Sequence, residues 1–208
     1  MKKLLIFLVA VSTTALSYGQ LHFGPQIGFT ASKLSLDQGD IQNSMKSNFL
    51  FGAFVRMGKK IYIQPEVNYY TQGSIFKTPS ISGGISPLEQ EISLKSLQVP
   101  VNLGWRMINL EIVNIRLFGG VVANFVLDKT VNTTSGDPND YETALVPDDF
   151  KDSNWQFDVG VGVDVLMFAV DVKYVGGLSN ILNDVQFNGN TVTSKSNLFV
   201  VTLGWKIF

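Results

Sequence analysis

Cysteine is absent from the sequence, and histidine occurs only once, as His22, among 208 residues. Without cysteine the chain cannot form disulfides, thiolate metal sites or thiol nucleophiles. The 16 basic and 17 acidic residues leave a formal net charge of −1, so there is no excess positive charge for binding nucleic acid. We therefore expect no nucleic-acid partner, no bound metal and no other cofactor.

Long hydrophobic runs are also missing, since a membrane-spanning helix needs about 20 apolar residues. The run LLIFLVAV at residues 4–11 follows Lys2 and Lys3 and precedes the small residues Ser17 and Gly19, an arrangement typical of a cleaved signal peptide. The alternative, an uncleaved anchor, would need a longer run. We predict a signal peptide over residues 1–19 and one mature domain over residues 20–208. This domain can enter a membrane only as a closed barrel.

Apolar residues alternate with polar residues or glycines along much of the chain, and this period of two predicts β-strands. In residues 155–165 (WQFDVGVGVDV) the alternate positions include Asp158 and Asp164, and in residues 170–174 they are Asp171 and Lys173. The same pattern occurs at residues 21–32, 48–57, 61–72, 96–106, 115–127 and 197–208. The sequence therefore predicts an all-β fold with eight strands.

The connections between the predicted strands alternate in length. Short turns are expected at residues 58–59, 109–111 and 167, and long polar loops at residues 33–47, 73–93, 128–153 and 180–195. Short periplasmic turns and longer external loops are typical of outer-membrane barrels. We predict an eight-stranded antiparallel up-and-down transmembrane β-barrel in the outer membrane of a Gram-negative cell.

Charged residues lie on the minority face of the predicted strands, nearly balanced in sign. Lipid-facing charge is costly, and an eight-stranded barrel is just wide enough to be filled by its own side chains. Buried charge also requires a partner. We predict a polar network inside the lumen, formed by Arg56, Glu66, Arg106, Arg116, Asp158, Asp164, Asp171, Lys173 and Lys206.

Aromatic residues lie on the apolar face near both ends of the strands. Phe29, Tyr69 and Trp155 lie toward the long loops, and Trp105 and Trp205 lie toward the short turns. We predict that they form two belts at the membrane interfaces. A soluble lipocalin-like barrel stays open as an alternative, with the two faces reversed and a ligand inside.

Four segments carry a resemblance to a known family: IQPEVNYYTQGSIF (63–76), KSLQVPVNLGWR (95–106), FDVGVGVDV (157–165) and VDVKYVGGLSNI (170–181). Together they resemble the PorT-type outer-membrane β-barrel family over essentially the whole mature chain. The resemblance implies an eight-stranded barrel in the outer membrane. It also implies, through one named member, a part in a secretion apparatus.

Two features depart from an ideal barrel sequence. Pro25, Pro65 and Pro100 fall within predicted strands, where a closed barrel has no free edge, so we expect bulges or local breaks there. The terminal Phe208 is in register with Lys206 rather than with the lipid-facing set. We nevertheless expect the barrel insertion machinery to recognise this end.

Candidate catalytic and binding groups are few. His22 and Ser32 are ten residues apart on one predicted strand, too far for a dyad, although a serine from another strand stays an alternative. The acidic residues of the third long loop lack the spacing of a calcium loop, which favours a solvated cluster: Asp137, Asp140, Glu142, Asp148, Asp149 and Asp152. Glu66 and Arg106 could form a gate or ligand site, or a structural ion pair, and we favour the pair.

The sequence thus predicts a non-enzymatic outer-membrane barrel that acts through its external loops or through partner proteins. Its expected partners are outer-membrane lipid and the barrel insertion machinery, with other envelope proteins as candidates. A narrow channel for ions or small solutes is one alternative. An accessory role in protein secretion, as in the PorT resemblance, is another.

Overall fold

The computed structural model describes residues 21–36, 42–78, 87–110, 112–138, 145–183, 186–187, 190–191 and 194–207. The predicted signal peptide and the terminal Phe208 lie outside these residues.

Within the described ranges, no helix is both long enough and apolar enough to cross a bilayer.

Eight strands form a closed antiparallel barrel. They are β1 (Leu21–Leu36), β2 (Gln42–Gly58), β3 (Ile61–Thr78), β4 (Leu88–Asn109), β5 (Val113–Ser135), β6 (Ser153–Val165), β7 (Phe168–Gly177) and β10 (Ser194–Trp205). Two short strands, β8 (Gln186–Phe187) and β9 (Asn190–Thr191), pair with each other between β7 and β10. A 3-10 helix occupies Pro147–Asp149. The predicted eight-stranded up-and-down barrel is confirmed, because each barrel strand pairs with its neighbour in sequence and β10 closes on β1.

Tight turns connect the strands at one end of the barrel, which we call the turn end. At the β2–β3 turn Gly58 has φ +124°, and a Cβ there would lie 2.4 Å from the carbonyl oxygen of Ile61. Leu166, with φ 52°, begins the two-residue turn between β6 and β7. Positive φ at these positions lets the chain reverse within two residues.

The strands continue well past the predicted boundaries at the opposite end. Thr78 of β3 still pairs with Leu88 of β4, and β5 extends to Ser135, so the long connections are shorter than the alternation indicated. The outward positions of β4 become polar here, as at Glu89 and Glu91, which removes the apolar alternation that marked the strands. Backbone pairing does not need that alternation, and the strands continue without it.

The three prolines interrupt pairing on one side of their strands without shifting the register. Pro25 pairs with Ala53, whereas the β1–β10 pairing begins one residue later at Gln26. Near Pro65, pairing with β2 pauses between Phe54 and Met57 and resumes in the same register. Pro100 pairs with β5, while the β3–β4 pairing skips the positions opposite it. The expected local breaks therefore occur and the expected bulges do not, because each residue of an antiparallel strand bonds to only one neighbour.

The barrel wall is apolar on its outer face and polar on its inner face, which is the reverse of the arrangement in a soluble β-barrel. Val161 and Val163 are 51% and 38% exposed on the outside, whereas Asp164 is 1% exposed on the inside. This pattern repeats around the wall, so the apolar side chains form the outer surface. An apolar exterior is what lipid requires of a barrel, and it rules out the lipocalin-like arrangement.

Candidate functional site

The lumen at the turn end holds a cluster of buried charges around Asp164. The Arg56 Nη1 atom donates to Asp164 Oδ2 at 2.8 Å, and Arg116 Nη2 lies 2.8 Å from Asp164 Oδ1. Arg116 Nη2 also donates to Asp171 Oδ1 at 2.6 Å. Lys206 Nζ is 3.6 Å from Asp164 Oδ2. We call these residues, with Arg106, the turn-end cluster. Its carboxylates join four strands, because the two aspartates come from β6 and β7 and their arginines come from β2 and β5.

The ring of Tyr62 lies at the centre of the turn-end cluster. The guanidinium carbons of Arg56, Arg106 and Arg116 lie 5.1, 5.8 and 5.9 Å from its centroid. Arg116 Nη1 also donates to the Tyr62 hydroxyl at 3.1 Å. The negative face of an aromatic ring stabilises nearby cations, so Tyr62 helps to hold three arginines in a buried space.

A second cluster, in the middle of the lumen, surrounds Glu66. Its Oε2 accepts a hydrogen bond from Lys173 Nζ at 2.8 Å. Four amide groups also donate to the carboxylate, at 3.0, 2.9, 3.0 and 3.3 Å respectively: Gln26, Gln64, Asn68 and Asn102. Glu66 and Lys173 are 2% exposed each, so this central cluster is a buried ion pair with its carboxylate fully hydrogen-bonded.

Asp158 belongs to the same central region but is bonded differently. Among the described residues, neither of its carboxylate oxygens has a hydrogen-bond partner, although the residue is 3% exposed. The Asn102 side chain and the Gly120 backbone N–H are neighbouring donors that do not reach hydrogen-bond geometry. Asp158 therefore contributes charge near Lys173 without the directed contacts that Glu66 has.

The expected pairing of Glu66 with Arg106 is wrong. Glu66 takes Lys173 as its cation, whereas the Arg106 backbone N–H donates to the Lys60 carbonyl oxygen in the β2–β3 turn at 2.8 Å. The β3–β4 register, which places Pro65 opposite Val101, sets Arg106 several residues closer to the turn end than Glu66. The two residues are on neighbouring strands but at different depths in the lumen.

The lumen is not polar throughout, and this corrects the sequence prediction. Beyond the central cluster, six buried side chains form an apolar layer: Leu50, Tyr70, Val122, Val175, Leu198 and Val200. Beyond this layer, the external core packs seven more: Phe76, Ile92, Leu94, Leu145, Phe150, Ile181 and Leu182. These layers were missed because the period-two analysis assigned apolar residues outward, whereas Val200 and Leu198 share the inward face of Thr202.

Residues 12–183 match the model of the family described as outer membrane protein beta-barrel domain. The chain belongs to this family. No curated protein matches the sequence. The crystal structure of OprG from Pseudomonas aeruginosa superposes with a TM-score of 0.51 at 12% identity, over 91% of this chain and 95% of OprG.

Two further solved barrels are similar in fold. Neisserial surface protein A gives a TM-score of 0.49 at 12% identity, over 89% of this chain and 97% of its own. Ail of Yersinia pestis gives 0.46 at 10% identity, over 91% of this chain and 99% of its own. With its family established, the protein lies in the outer membrane of a Gram-negative cell. The turn end of this outer membrane barrel then faces the periplasm and the long connections face outward.

The predicted belt residues all lie on the outer surface of the outer membrane barrel. Phe29, Tyr69, Trp105, Trp155 and Trp205 are between 43% and 59% exposed. Trp105 pairs with Ile61 and Trp205 with Phe168, the first residues of β3 and β7, so both lie at the periplasmic end. The ring of Phe29 meets Phe49 edge to face at 5.6 Å nearer the external end. Their contact with the membrane interface stays a prediction.

An exposed ion pair lies one step beyond the external aromatics. Lys95 pairs with Thr71 of β3, two residues beyond Tyr69, and its Nζ is 2.7 Å from Asp128 Oδ2. The hydrogen bond from Lys95 holds the pKa of Asp128 below its usual range, and the same bond raises the pKa of Lys95. These charges on the outer face place this part of the wall outside the lipid.

The candidate catalytic residues are not brought together. His22 lies at the periplasmic end of β1, opposite Arg56, while the Ser32 hydroxyl exchanges hydrogen bonds with the Gly73 backbone at 2.9 Å. Among the described residues there is no group of three or more acidic, histidine or cysteine side chains arranged to hold a metal. Asp140 and Glu142 of the acidic loop lie outside those residues.

Proposed function

We propose that this outer membrane barrel is a non-conducting, non-enzymatic anchor that presents a structured external platform to ligands or partner proteins. The observation that carries the proposal is the apolar layer together with the external core, because their buried side chains pack inside the barrel between the central cluster and the external connections. The protein would then act outside the membrane, through the loops already singled out by the sequence.

Apolar packing inside the lumen supports this proposal over the channel alternative. Leu50, Val122, Val175 and Leu198 are each at most 1% exposed, so these apolar side chains are packed away from solvent inside the barrel. Hydrophobic constrictions block ions by excluding water. The charged clusters on the periplasmic side would hold the strands together rather than conduct.

Ordered contacts among the external segments support the platform. Gln90 and Leu145 exchange two hydrogen bonds, with Gln90 Nε2 donating to the Leu145 carbonyl at 3.1 Å and the Leu145 N–H donating back at 2.9 Å. Asn183 Nδ2 donates to the Asp148 carbonyl at 2.6 Å. Phe150 also bridges to Leu182. Two connections are therefore fixed to each other and to β4, and a rigid surface binds with less loss of entropy.

Planar-bilayer recording tests the closed lumen. The purified protein is expected to give no steady open current at either polarity. Neutralising Glu66 or Lys206 should not create one, because the apolar layer lies elsewhere. Stable single-channel steps in the wild-type protein, altered by Glu66→Gln, would refute the proposal in favour of a narrow channel.

Site-specific photocrosslinking in intact cells tests the platform. Two variants each carry one photoreactive residue. The test variant replaces Val146, which is 52% exposed on the external connection, and the control variant replaces Val161, which is 51% exposed on the lipid-facing wall. Adducts with protein or glycan should form at position 146 and not at the matched position 161. Adducts that form only at position 161 would instead point to a partner within the membrane.

The resemblance to PorT-type barrels supports one narrower version of this proposal, in which the external or periplasmic partners belong to a secretion apparatus. Deletion of the gene would then remove specific proteins from the culture medium, and the wild-type chain would restore them. An unchanged set of secreted proteins would leave the anchor role and remove the secretion role.

A further inference from the structure

A cavity of about 360 Å³ opens at the periplasmic end of the lumen. Its lining is mostly polar and comes from the start of β1, the end of β10 and the residues around the β4–β5 and β6–β7 turns. The polar lining residues are His22, Arg106, Asn109, Asn114, Asp164 and Lys206, and Leu110 and Leu166 lie at the rim. Arg106 is only 5% exposed and the Lys206 side chain only 9%, so both are held within the mouth. The volume falls in the range of small-molecule sites.

Among the described residues, cations outnumber carboxylates around this cavity. In the described part of the chain, four inward cations (Arg56, Arg106, Arg116 and Lys206) accompany only two inward carboxylates at this depth, Asp164 and Asp171. Both carboxylates lie against Arg116, and Asp164 also lies against Arg56 and, at 3.6 Å, against Lys206. Lys59 and Lys60, exposed on the adjacent turn, add to the same field. A cavity lined mainly by one sign of charge attracts ions of the opposite sign.

We propose that the periplasmic mouth is a binding site for an oxyanion, a phosphate or carboxylate group, held by Arg106 and Lys206. An arginine fork and a lysine ammonium are the usual protein donors to such groups. The Asn109 and Asn114 side chains supply further polar atoms in the same cavity, and the Asn114 Oδ1 atom has no hydrogen-bond partner among the described residues. A hydroxyl or protonated oxygen on the ligand could donate to that atom.

Two sources in the envelope carry this chemistry: soluble anions of the periplasm and the phosphate of a lipid headgroup in the inner leaflet. The lining residues Arg106 and Asp164 are inward residues of the barrel rather than part of the lipid-facing wall. A soluble anion reaches the cavity directly, whereas a headgroup must bend over the rim.

Isothermal titration of inorganic phosphate tests the site, with the full mature protein in nanodiscs of zwitterionic lipid. We expect wild-type binding that weakens as salt is added, because the interaction is electrostatic. Arg106→Gln and Lys206→Gln should each weaken it about tenfold, since each removes one charge-assisted hydrogen bond. Lys59→Gln is the matched control: it removes one charge from the same end of the barrel but does not line the cavity. Its affinity should stay within about twofold of the wild type, because screening by water weakens an exposed charge.

The outcomes separate cleanly. The proposal is wrong if the wild type does not bind phosphate, or if Lys59→Gln weakens binding as much as the two cavity variants do. Heat-modifiable gel mobility checks that each variant is a folded barrel, and the Lys206→Gln variant decides the matter if Arg106→Gln does not fold. A repeat in discs containing anionic phosphatidylglycerol identifies the source. If phosphatidylglycerol weakens phosphate binding in the wild type but not in Arg106→Gln, the site binds lipid headgroups. If phosphate binds equally well in both kinds of disc, the site binds soluble anions.

Discussion

Two neighbouring carboxylates in the central cluster should respond in opposite ways to the same chemical change. Glu66→Gln and Asp158→Asn each replace a carboxylate by an amide of the same shape. Glu66 accepts five hydrogen bonds, two at Oε1 and three at Oε2. Asp158 accepts none that meets hydrogen-bond geometry within the described structure. The difference between the two variants therefore measures what directed hydrogen bonds add to a buried charge.

The magnitude follows from the geometry around Glu66. A glutamine has one oxygen and one NH₂ group, so in either orientation its NH₂ group faces at least two donors where the carboxylate accepted bonds. Hydrogen bonds to a charged group contribute about 1.5–3 kcal/mol each, so we expect Glu66→Gln to cost about 3–5 kcal/mol. Asp158→Asn loses no such bond, and the loss of its charge's attraction to Lys173 is offset by the removal of a desolvated charge. Its unfolding free energy should lie within about 1 kcal/mol of the wild type, or above it.

Urea titration of the protein folded in detergent micelles measures both values. The tryptophans Trp105, Trp155 and Trp205 all lie on the outer surface, so their fluorescence reports the loss of the lipid-like environment. The slope of free energy against urea should be unchanged in both variants, because the surface exposed on unfolding is the same. The reasoning is refuted if Glu66→Gln costs less than about 1 kcal/mol, or if Asp158→Asn costs as much as Glu66→Gln.

Three further predictions use the same protein. Gly120→Ala places a Cβ 2.2 Å from a backbone oxygen of β4, so it should lower the free energy of unfolding by about 1–3 kcal/mol in the same titration. In the adjacent Gly119→Ala the nearest atom is 3.1 Å away, so the change should be less than about 1 kcal/mol. Equal effects of the two substitutions would contradict the packing argument. Leu198→Ala, in the apolar layer, should cost about 2–5 kcal/mol, and a loss below about 1 kcal/mol would mean that the layer is loosely packed. Lys95→Gln should raise the pKa of Asp128 back toward its ordinary value in a carbon NMR titration, because it removes the hydrogen-bonding cation; an unchanged midpoint would show that the external pair does not form.

Much of the barrel could be predicted because its signal is local. In residues 155–165 successive side chains point to opposite faces, so the alternation of valine with Asp158 and Asp164 identifies a strand with an apolar outer face and a polar inner face. The strand ends were less predictable. Around Glu89 and Glu91 the outer face meets water instead of lipid, the alternation disappears, and only the pairing with β3 keeps the chain extended.

The partners inside the lumen could not be predicted from the pattern. Which cation meets Glu66 depends on the stagger of β3 against β4 and on the closure of β10 on β1, which brings β7 across the lumen with Lys173. Tyr62 alternates with the outward residues of β3 and so shares the inward face of Gln64 and Glu66, but its position among three arginines depends on side chains from three other strands. Separations of 107 residues, as between Glu66 and Lys173, leave no local trace in a sequence.

The sequence by itself determined that this protein is a closed all-β wall with an apolar outside and charges within, because period-two patterning and the cost of charge in lipid act on each strand separately. Only the tertiary structure decided how the inside is divided. The shear of the closed barrel sets the depth of every inward side chain, and it places the charges toward the periplasm and the apolar layer and external core beyond them.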